Sequence, residues 1–146
     1  IGKNVVVGNL TMIREGTVLE ENSKIGAYSD VKNSIVGFGS SFDSGVVLDS
    51  IIGENVKIGA GVCTANVRID RTNVKYKHNE KIIDTGLRAL GVIIGNNTKI
   101  GVKVTTMPGI TIGGNSQIGP STTVMKSVED KKMIYTKFEI IEKDNS

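Results

Sequence analysis

Two cations, Arg14 and Lys32, stand eighteen residues apart at the same point of a repeating frame. Each directly follows an aliphatic residue that closes a six-residue beat, Ile13 and Val31. In a coiled β-structure of three such beats per turn they stack ~5 Å apart. Like charges at that spacing repel, so the pair points to an anion of phosphate type held between them; the plainer reading is two solvated surface residues. A second basic group, Arg68, Arg71, Lys75, Lys77, Lys81 and Arg88 against Asp70, Glu80 and Asp84, lies in the stretch 66–92, where the beat is lost. His78 is the only histidine, and no carboxylate is placed beside it by sequence, so it reads first as a solvated loop residue. Cys63, the only cysteine, sits between Val62 and Thr64 and reads first as a wall residue; alone it forms no internal disulfide and no cysteine metal cluster.

The frame that must position these residues is regular. Aliphatic residues recur at Ile1, Val7, Ile13, Leu19, Ile25 and Val31, then at Ile94, Ile100, Thr106, Ile112, Ile118 and Val124, with one Thr among them. Between these blocks come Val36, Phe42, Val47, Ile52, Ile58 and Thr64, at spacings of five or six. A helix needs apolar residues at i, i+3, i+4 and i+7, where these segments carry Gly or polar residues. Short β-branched runs at fixed period predict a parallel β-solenoid of about six triangular coils.

Sorting the residue after each beat by corner separates one edge from the other two. The first position is followed by Gly2, Glu20, Gly37, Gly53, Gly95 and Gly113, the second by Gly8, Gly26, Asp43, Gly59, Gly101 and Gly119. Glycine there predicts backbone turned through φ > 0. The third position is followed by Arg14, Lys32, Leu48, Ala65, Met107 and Met125, none of them glycine. The long stretch 66–92 leaves from this same edge, too long for an idle connection. Within it V-K-Y-K-H-N-E-K-I-I-D predicts a hairpin with Asn79 near its turn. The tail 132–143 alternates and predicts a C-terminal strand over the last coil's open edge, or one packed on a neighbouring copy.

Composition bounds the class. The chain has 146 residues, 38% hydrophobic but only 4% aromatic, so one domain with an Ile, Val and Leu core is expected. No membrane-length apolar run and no secretory leader is visible, which gives the expectation of a soluble, cytoplasmic protein. A net charge of +3 permits attraction to a phosphate-bearing small molecule and is too weak to argue for nucleic acid. The start at Ile1, inside the repeat, reads as a fragment of a longer chain.

The segments R-E-G-T-V-L (14–19), D-V-K-N-S-I-V (30–36), D-S-I-I-G-E-N-V-K-I-G-A-G-V-C-T-A-N (49–66) and D-T-G-L-R-A-L-G-V-I-I-G-N-N (84–97) carry a family resemblance. With repeated I-G-x-x-x-x, the chain resembles the left-handed parallel β-helix of hexapeptide-repeat acyltransferases, an exception to right-handed crossovers. More narrowly it resembles the C-terminal half of bifunctional sugar-1-phosphate nucleotidylyltransferases, archaeal ones especially. The resemblance implies a β-helix over 1–129 with an inserted loop at 66–93, a C-terminal extension at 130–146, and a nucleotidylyltransferase domain preceding this segment. It also implies a homotrimer, acetyl-CoA in a groove between neighbouring β-helices, an amino-sugar 1-phosphate beside it, and no metal.

Carried over residue by residue, Arg14 matches a phosphate-binding arginine, Lys32 a sugar-site lysine in D-V-K with Asp30, and Asn66 the asparagine that closes G-A-G-x-x-T-A-N. The family's histidine base and its tyrosine, expected in H-L-x-Y before D-S-I-I-G, are absent. Depending on frame, S-S-F-D-S-G-V-V-L-D-S (40–50) offers Asp43 and Val46 or Ser44 and Val47, so Asp43 is the substitute base. Lys57 replaces a usual asparagine and Thr72 a loop lysine; Lys57 and Lys75 join the substrate set, and Ala60, Val102 and Gly119 are positional candidates for coenzyme A. The expected function is acetyl-CoA-dependent N-acetyl transfer to an amino-sugar 1-phosphate within a nucleotidylyltransferase. The alternatives are a trimerisation and sugar-phosphate-binding module without acetyl transfer, and acylation of a different acceptor.

Overall fold

The computed structural model of the chain describes residues 1–78 and 80–144, with His78 described by its backbone alone. Three parallel sheets form the walls of a left-handed triangular prism. Wall A holds seven strands, from Val6–Val7 through Lys24–Ile25, Ser41–Phe42, Lys57–Ile58, Lys99–Ile100 and Gln117–Ile118 to Met133–Ile134. Wall B holds six: Met12–Ile13, Asp30–Lys32, Gly45–Leu48, Val62–Thr64, Thr105–Thr106 and Thr123–Val124. Wall C holds five: Val18–Leu19, Ile35–Val36, Ile51–Ile52, Ile93–Ile94 and Thr111–Ile112, with Val128 bridged to Ile112. The chain visits A, B and C in turn, and wall A reaches seven rungs where about six coils were expected.

Register shows that the six-residue frame runs unbroken through the shortened beats and the loop. Ile25, Phe42, Ile58, Ile100, Ile118 and Ile134 stack on wall A, and Leu19, Val36, Ile52, Ile94 and Ile112 on wall C. All but Ile134, which is partly buried and packs against the others, are buried and form one contiguous core, with Phe42 its only aromatic member among the described residues. Small residues two places before a beat, among them Ser34, Ser50, Val56, Val104 and Thr122, are buried beside them. Burying aliphatic side chains at ~25 cal/mol per Å² is what holds strands of two residues together.

The glycines that follow the beats do not serve the expected purpose. None of those ten has positive φ. They are required because successive rungs approach too closely for a side chain: a Cβ on Gly26 would lie 1.7 Å from the Asp43 carbonyl oxygen, and one on Gly113 2.3 Å from the Asp130 nitrogen. The left-handed turn falls on later residues. On the C–A edge these are chiefly Asn4, Asn22, Asn55, Asn97 and Asn115, at φ 54° to 61°. Asparagine tolerates that region better than most residues.

The segment 66–92 leaves at the B–C edge and is pinned back to the prism. Leu90 N–H donates to Asn66 O and Gly91 N–H to Asp49 O, while fully buried Val74 packs on Gly109. The expected hairpin forms from antiparallel Lys75–His78 and Lys81–Asp84. The turn residue Asn79 and the side chain of His78 lie outside the described residues. The tail differs from expectation. Only Met133–Ile134 is strand, parallel to Gln117–Ile118 and covering that edge of wall A. After Ile134 the Thr136 hydroxyl bonds the Thr122 hydroxyl, and Phe138, Ile140 and Ile141 are exposed, so no ladder continues.

Candidate functional site

The B–C edge gathers the residues that sequence singled out. Arg14, Lys32 and Asn66 come from three different coils; Lys32 ends a wall B strand, and Arg14 and Asn66 lie just past two others. Arg14 Nε lies 2.9 Å from Asp30 Oδ1, an ionic contact without hydrogen-bond alignment. Lys32 Nζ lies 3.4 Å from Asp49 Oδ2. Asp49 also accepts hydrogen bonds from Asn33 Nδ2 at 2.7 Å and from Asn66 Nδ2. Stacked cations therefore have a structural reason to be neighbours: carboxylates of the chain alternate with them, so no external anion is needed to hold them. Arg14, Asp30, Lys32 and Asp49 together carry no net charge.

Asp49 is the centre of this cluster and has only 8% of its surface exposed. Burial pushes its carboxyl pKa up, but the Asn33 and Asn66 amides and the Lys32 charge push harder the other way, and the net direction is below the ordinary carboxylate range. Its backbone is left-handed, φ 47°, as is that of Asn33 below it at φ 45°. Asp49 N–H donates to Lys32 O, so main chain and side chain both tie adjacent coils. Beneath it a buried hydroxyl ladder runs upward: Ser34 Oγ accepts from Ser50 N–H, and Ser50 Oγ accepts from Val92 N–H. Sequence reasoning quoted Asp30, Asn33 and Asp49 inside motifs without giving the last two a role. The available signal was the two five-residue beats, Val31 to Val36 and Val47 to Ile52, in which they sit.

The other candidates lie elsewhere. Asp43, Ala60, Val102 and Gly119 all lie on the A–B edge, on the opposite side of wall B. Asp43 is exposed and lacks the burial that would mark it as a base. The beat after it is short because Gly45 turns at φ 148°, where a Cβ would lie 2.3 Å from Val62 O. Gly119 borders a groove of 380 Å³ with Lys99, Gln117, Pro120 and Tyr135. Lys57 stands on wall A and donates to Gly39 O at 2.8 Å. Lys75 is on the hairpin and lines a cleft of 1370 Å³ between hairpin and prism, with Val67, Tyr76, Met107, Ile110 and Met125. That cleft exceeds the roughly 300–1,000 Å³ usual for small ligands. Thr72 accepts from Arg68 Nε and donates to Asp70, ordering the loop's first turn. The Arg68 guanidinium beside Asp70 holds that carboxyl far below its usual range.

Among the described residues no group of three His, Cys, Asp or Glu side chains could hold a metal, and no helix is long and apolar enough to cross a membrane.

Residues 1–83 match the GMPPB C-terminal domain, and residues 91–120 the hexapeptide repeat of succinyl-transferase. The chain is 41% identical over 135 residues to the bifunctional protein GlmU of Methanocaldococcus jannaschii, covering 92% of this chain and 33% of that protein. It is 41% identical over 103 residues to the bifunctional sugar-1-phosphate nucleotidylyltransferase/acetyltransferase of Sulfurisphaera tokodaii, covering 70% and 26%. The chain thus spans between a quarter and a third of the length of these curated relatives. Among solved structures, AntD, an N-acyltransferase from Bacillus cereus in complex with dTDP and 3-hydroxybutyryl-CoA, superposes with TM-score 0.64 at 17% identity, covering 93% of this chain and 77% of that one. A mutant GDP-perosamine N-acetyl transferase from Caulobacter crescentus, in complex with CoA and GDP-perosamine, gives TM-score 0.57 at 14% identity, covering 90% and 54%. At those identities the likeness is one of fold.

Proposed function

Because this chain belongs to the GMPPB C-terminal domain family, we propose that it is the N-acetyltransferase-like part of a sugar-1-phosphate nucleotidylyltransferase, using acetyl-CoA and an amino-sugar 1-phosphate. The observation that carries this reading is the convergence of Arg14, Lys32 and Asn66, from three coils, on one edge, Arg14 beside Asp30 and the other two beside Asp49. Arg14 and Lys32 present cations to the phosphate, and Asn66 faces the sugar. The coenzyme A candidates Ala60, Val102 and Gly119 line the other edge of wall B with Asp43. Roughly 15–20 Å of wall separates the two edges, given ~3.3 Å per residue. Donor and acceptor halves therefore meet between copies, one chain's B–C edge facing a neighbour's A–B edge.

A homotrimer supplies that arrangement. Support comes from wall C, whose outward positions Val18, Ile35, Ile51 and Ile93 form a partly exposed aliphatic row on four successive rungs. Wall A carries Lys24, Ser41, Lys57 and Lys99 at its outward positions. One wall of three is suited to burial against another copy.

In the transfer the amino group, once deprotonated, attacks the thioester carbonyl, and the coenzyme A thiolate leaves. A positioned base typically contributes 10²–10⁴-fold, and of Asp43 and Ser44, which share the family's histidine slot between two frames, Asp43 is the candidate base. Its exposure favours the second reading, a trimerisation and sugar-phosphate-binding module without acetyl transfer. The deciding experiment follows thiol release with glucosamine-1-phosphate and galactosamine-1-phosphate, for wild type, Asp43→Ala and Asp43→His, with the trimer checked by sedimentation. Turnover that is lost in Asp43→Ala supports the enzyme; no turnover in wild type, regained in Asp43→His, supports the binding module.

A further inference from the structure

We propose that Asp49 is a positioning residue of the amino-sugar phosphate site, its carboxylate fixing Lys32 and Asn66 so that Asn66 meets the sugar through its side-chain oxygen. The inference rests on the reading of the B–C edge given above and adds to it a residue and a rule of recognition.

A backbone requirement does not account for an aspartate here. Asn33 makes the same two-place turn one coil below, and Gly16 and Gly109 turn the six-residue coils of this edge, all left-handed and all uncharged. A carboxylate buried to 8% exposure costs desolvation that glycine or asparagine avoids. What the charge adds is acceptance: Oδ1 takes the Asn33 amide, and Oδ2 takes the Asn66 amide and the Lys32 ammonium. Charge-assisted bonds of this kind are about twice as strong as neutral ones and fix direction.

The recognition rule follows from donor counting. A carboxylate offers only acceptors, so the Asn66 NH₂ must face Asp49, and its Oδ1 is turned the other way. A ligand at Asn66 Oδ1 must therefore bring a donor, such as the amine or a hydroxyl of a sugar. Lys32 keeps the N–H groups that Asp49 does not take, and these are available to the phosphate. Because each cation is matched by a carboxylate, the edge holds a sugar phosphate by directed bonds rather than by net charge.

The test titrates glucosamine-1-phosphate and, separately, coenzyme A into the full chain, comparing wild type with Asp49→Asn and Asp49→Gly. Both replacements suit the left-handed backbone, so a folding failure in one leaves the other to report. Sugar-phosphate Kd should rise roughly tenfold or more while coenzyme A binding stays unchanged. Unchanged sugar-phosphate affinity in a folded variant overturns the inference, and so does an equal loss for both ligands, which a merely structural role produces. If wild type itself takes no sugar phosphate, the acceptor reading fails. The positioning claim is then judged on the ¹⁵N–¹H spectrum: the Asn66 side-chain amide pair should shift in Asp49→Asn, and an unmoved pair overturns it.

Discussion

The B–C and C–A edges turn the same backbone through the same left-handed region with different results. On the C–A edge the turning residue comes three places after the beat, as Asn22 after Leu19, Asn55 after Ile52 and Asn97 after Ile94. Asn55 and Asn97 are exposed there, and the edge is scaffolding. On the B–C edge two beats are one residue shorter, so Asn33 and Asp49 turn only two places after Val31 and Val47. Dropping a residue sets the turning side chain beside the strand end, where Asp49 meets Lys32 and Asn66 instead of water and Asn33 donates to Asp49. A solenoid thus acquires a chemical edge by deletion, without changing its walls.

The largest test of this contrast removes each turning side chain. Asp49→Ala removes the acceptor of two amides and of the partly exposed Lys32 ammonium and puts alanine in a strained turn, and losing charge-assisted bonds in this way costs about 2–3 kcal/mol. Asn97→Ala meets the backbone strain alone, about 1 kcal/mol. Guanidinium unfolding of the two variants should show that ordering. Equal losses would mean that the edges differ in appearance only.

Acid sharpens the same comparison, because a buried carboxylate, Asp49, makes the B–C turn where asparagines make most of the C–A turns. Asp49 has its folded pKa below its unfolded value, burial being outweighed by the Asn33, Asn66 and Lys32 contacts. A depressed carboxyl contributes stability that is full above the unfolded value and is lost as pH falls through the folded one. Its contribution should hold from neutrality to about pH 4 and fade below. The stability gap between wild type and Asp49→Asn, measured at pH 7 and again near pH 3, should therefore narrow in acid. A gap that widens in acid would place the charge elsewhere.

The prism was legible because one physical demand, burial of one aliphatic residue per side per coil, repeats along the chain. Register on all three walls follows the beat, even across 66–92. The glycine pattern was equally visible, but its cause was not: φ is ordinary at Gly26 and Gly113, and the constraint is the neighbouring coil, which only three-dimensional stacking supplies. Arg14, Lys32 and Asn66 came from the odd edge and the family motifs, and the structure brings them together. Asp49 was missed because its partners lie 16 and 17 residues away, on adjacent coils, and an aspartate in a motif carries no sign of burial. The tail was legible in part: a strand covers the edge at Met133–Ile134 as expected, but it stops there, because a strand needs a ladder partner as well as alternation, and the described chain past Thr136 has none.

The smallest effect isolates the contrast most cleanly. Asn33 and Asn97 are the same residue type, both left-handed, at φ 45° and 60°, and both exposed. They differ in that the Asn33 amide donates to Asp49, while among the described residues no hydrogen bond is made by the Asn97 side chain. Glycine relieves the turn's strain at either site and raises unfolded-chain entropy, two effects that nearly cancel, so Asn97→Gly should fall within about 0.5 kcal/mol of wild type. Asn33→Gly also loses a charge-assisted bond and should cost about 1.5 kcal/mol more. Repeating both in an Asp49→Asn background closes the cycle: the difference between the two sites should shrink once the carboxylate is gone. A difference that persists would assign the cost to the short beat itself, and the chemistry of the edge would then be a passenger on its geometry.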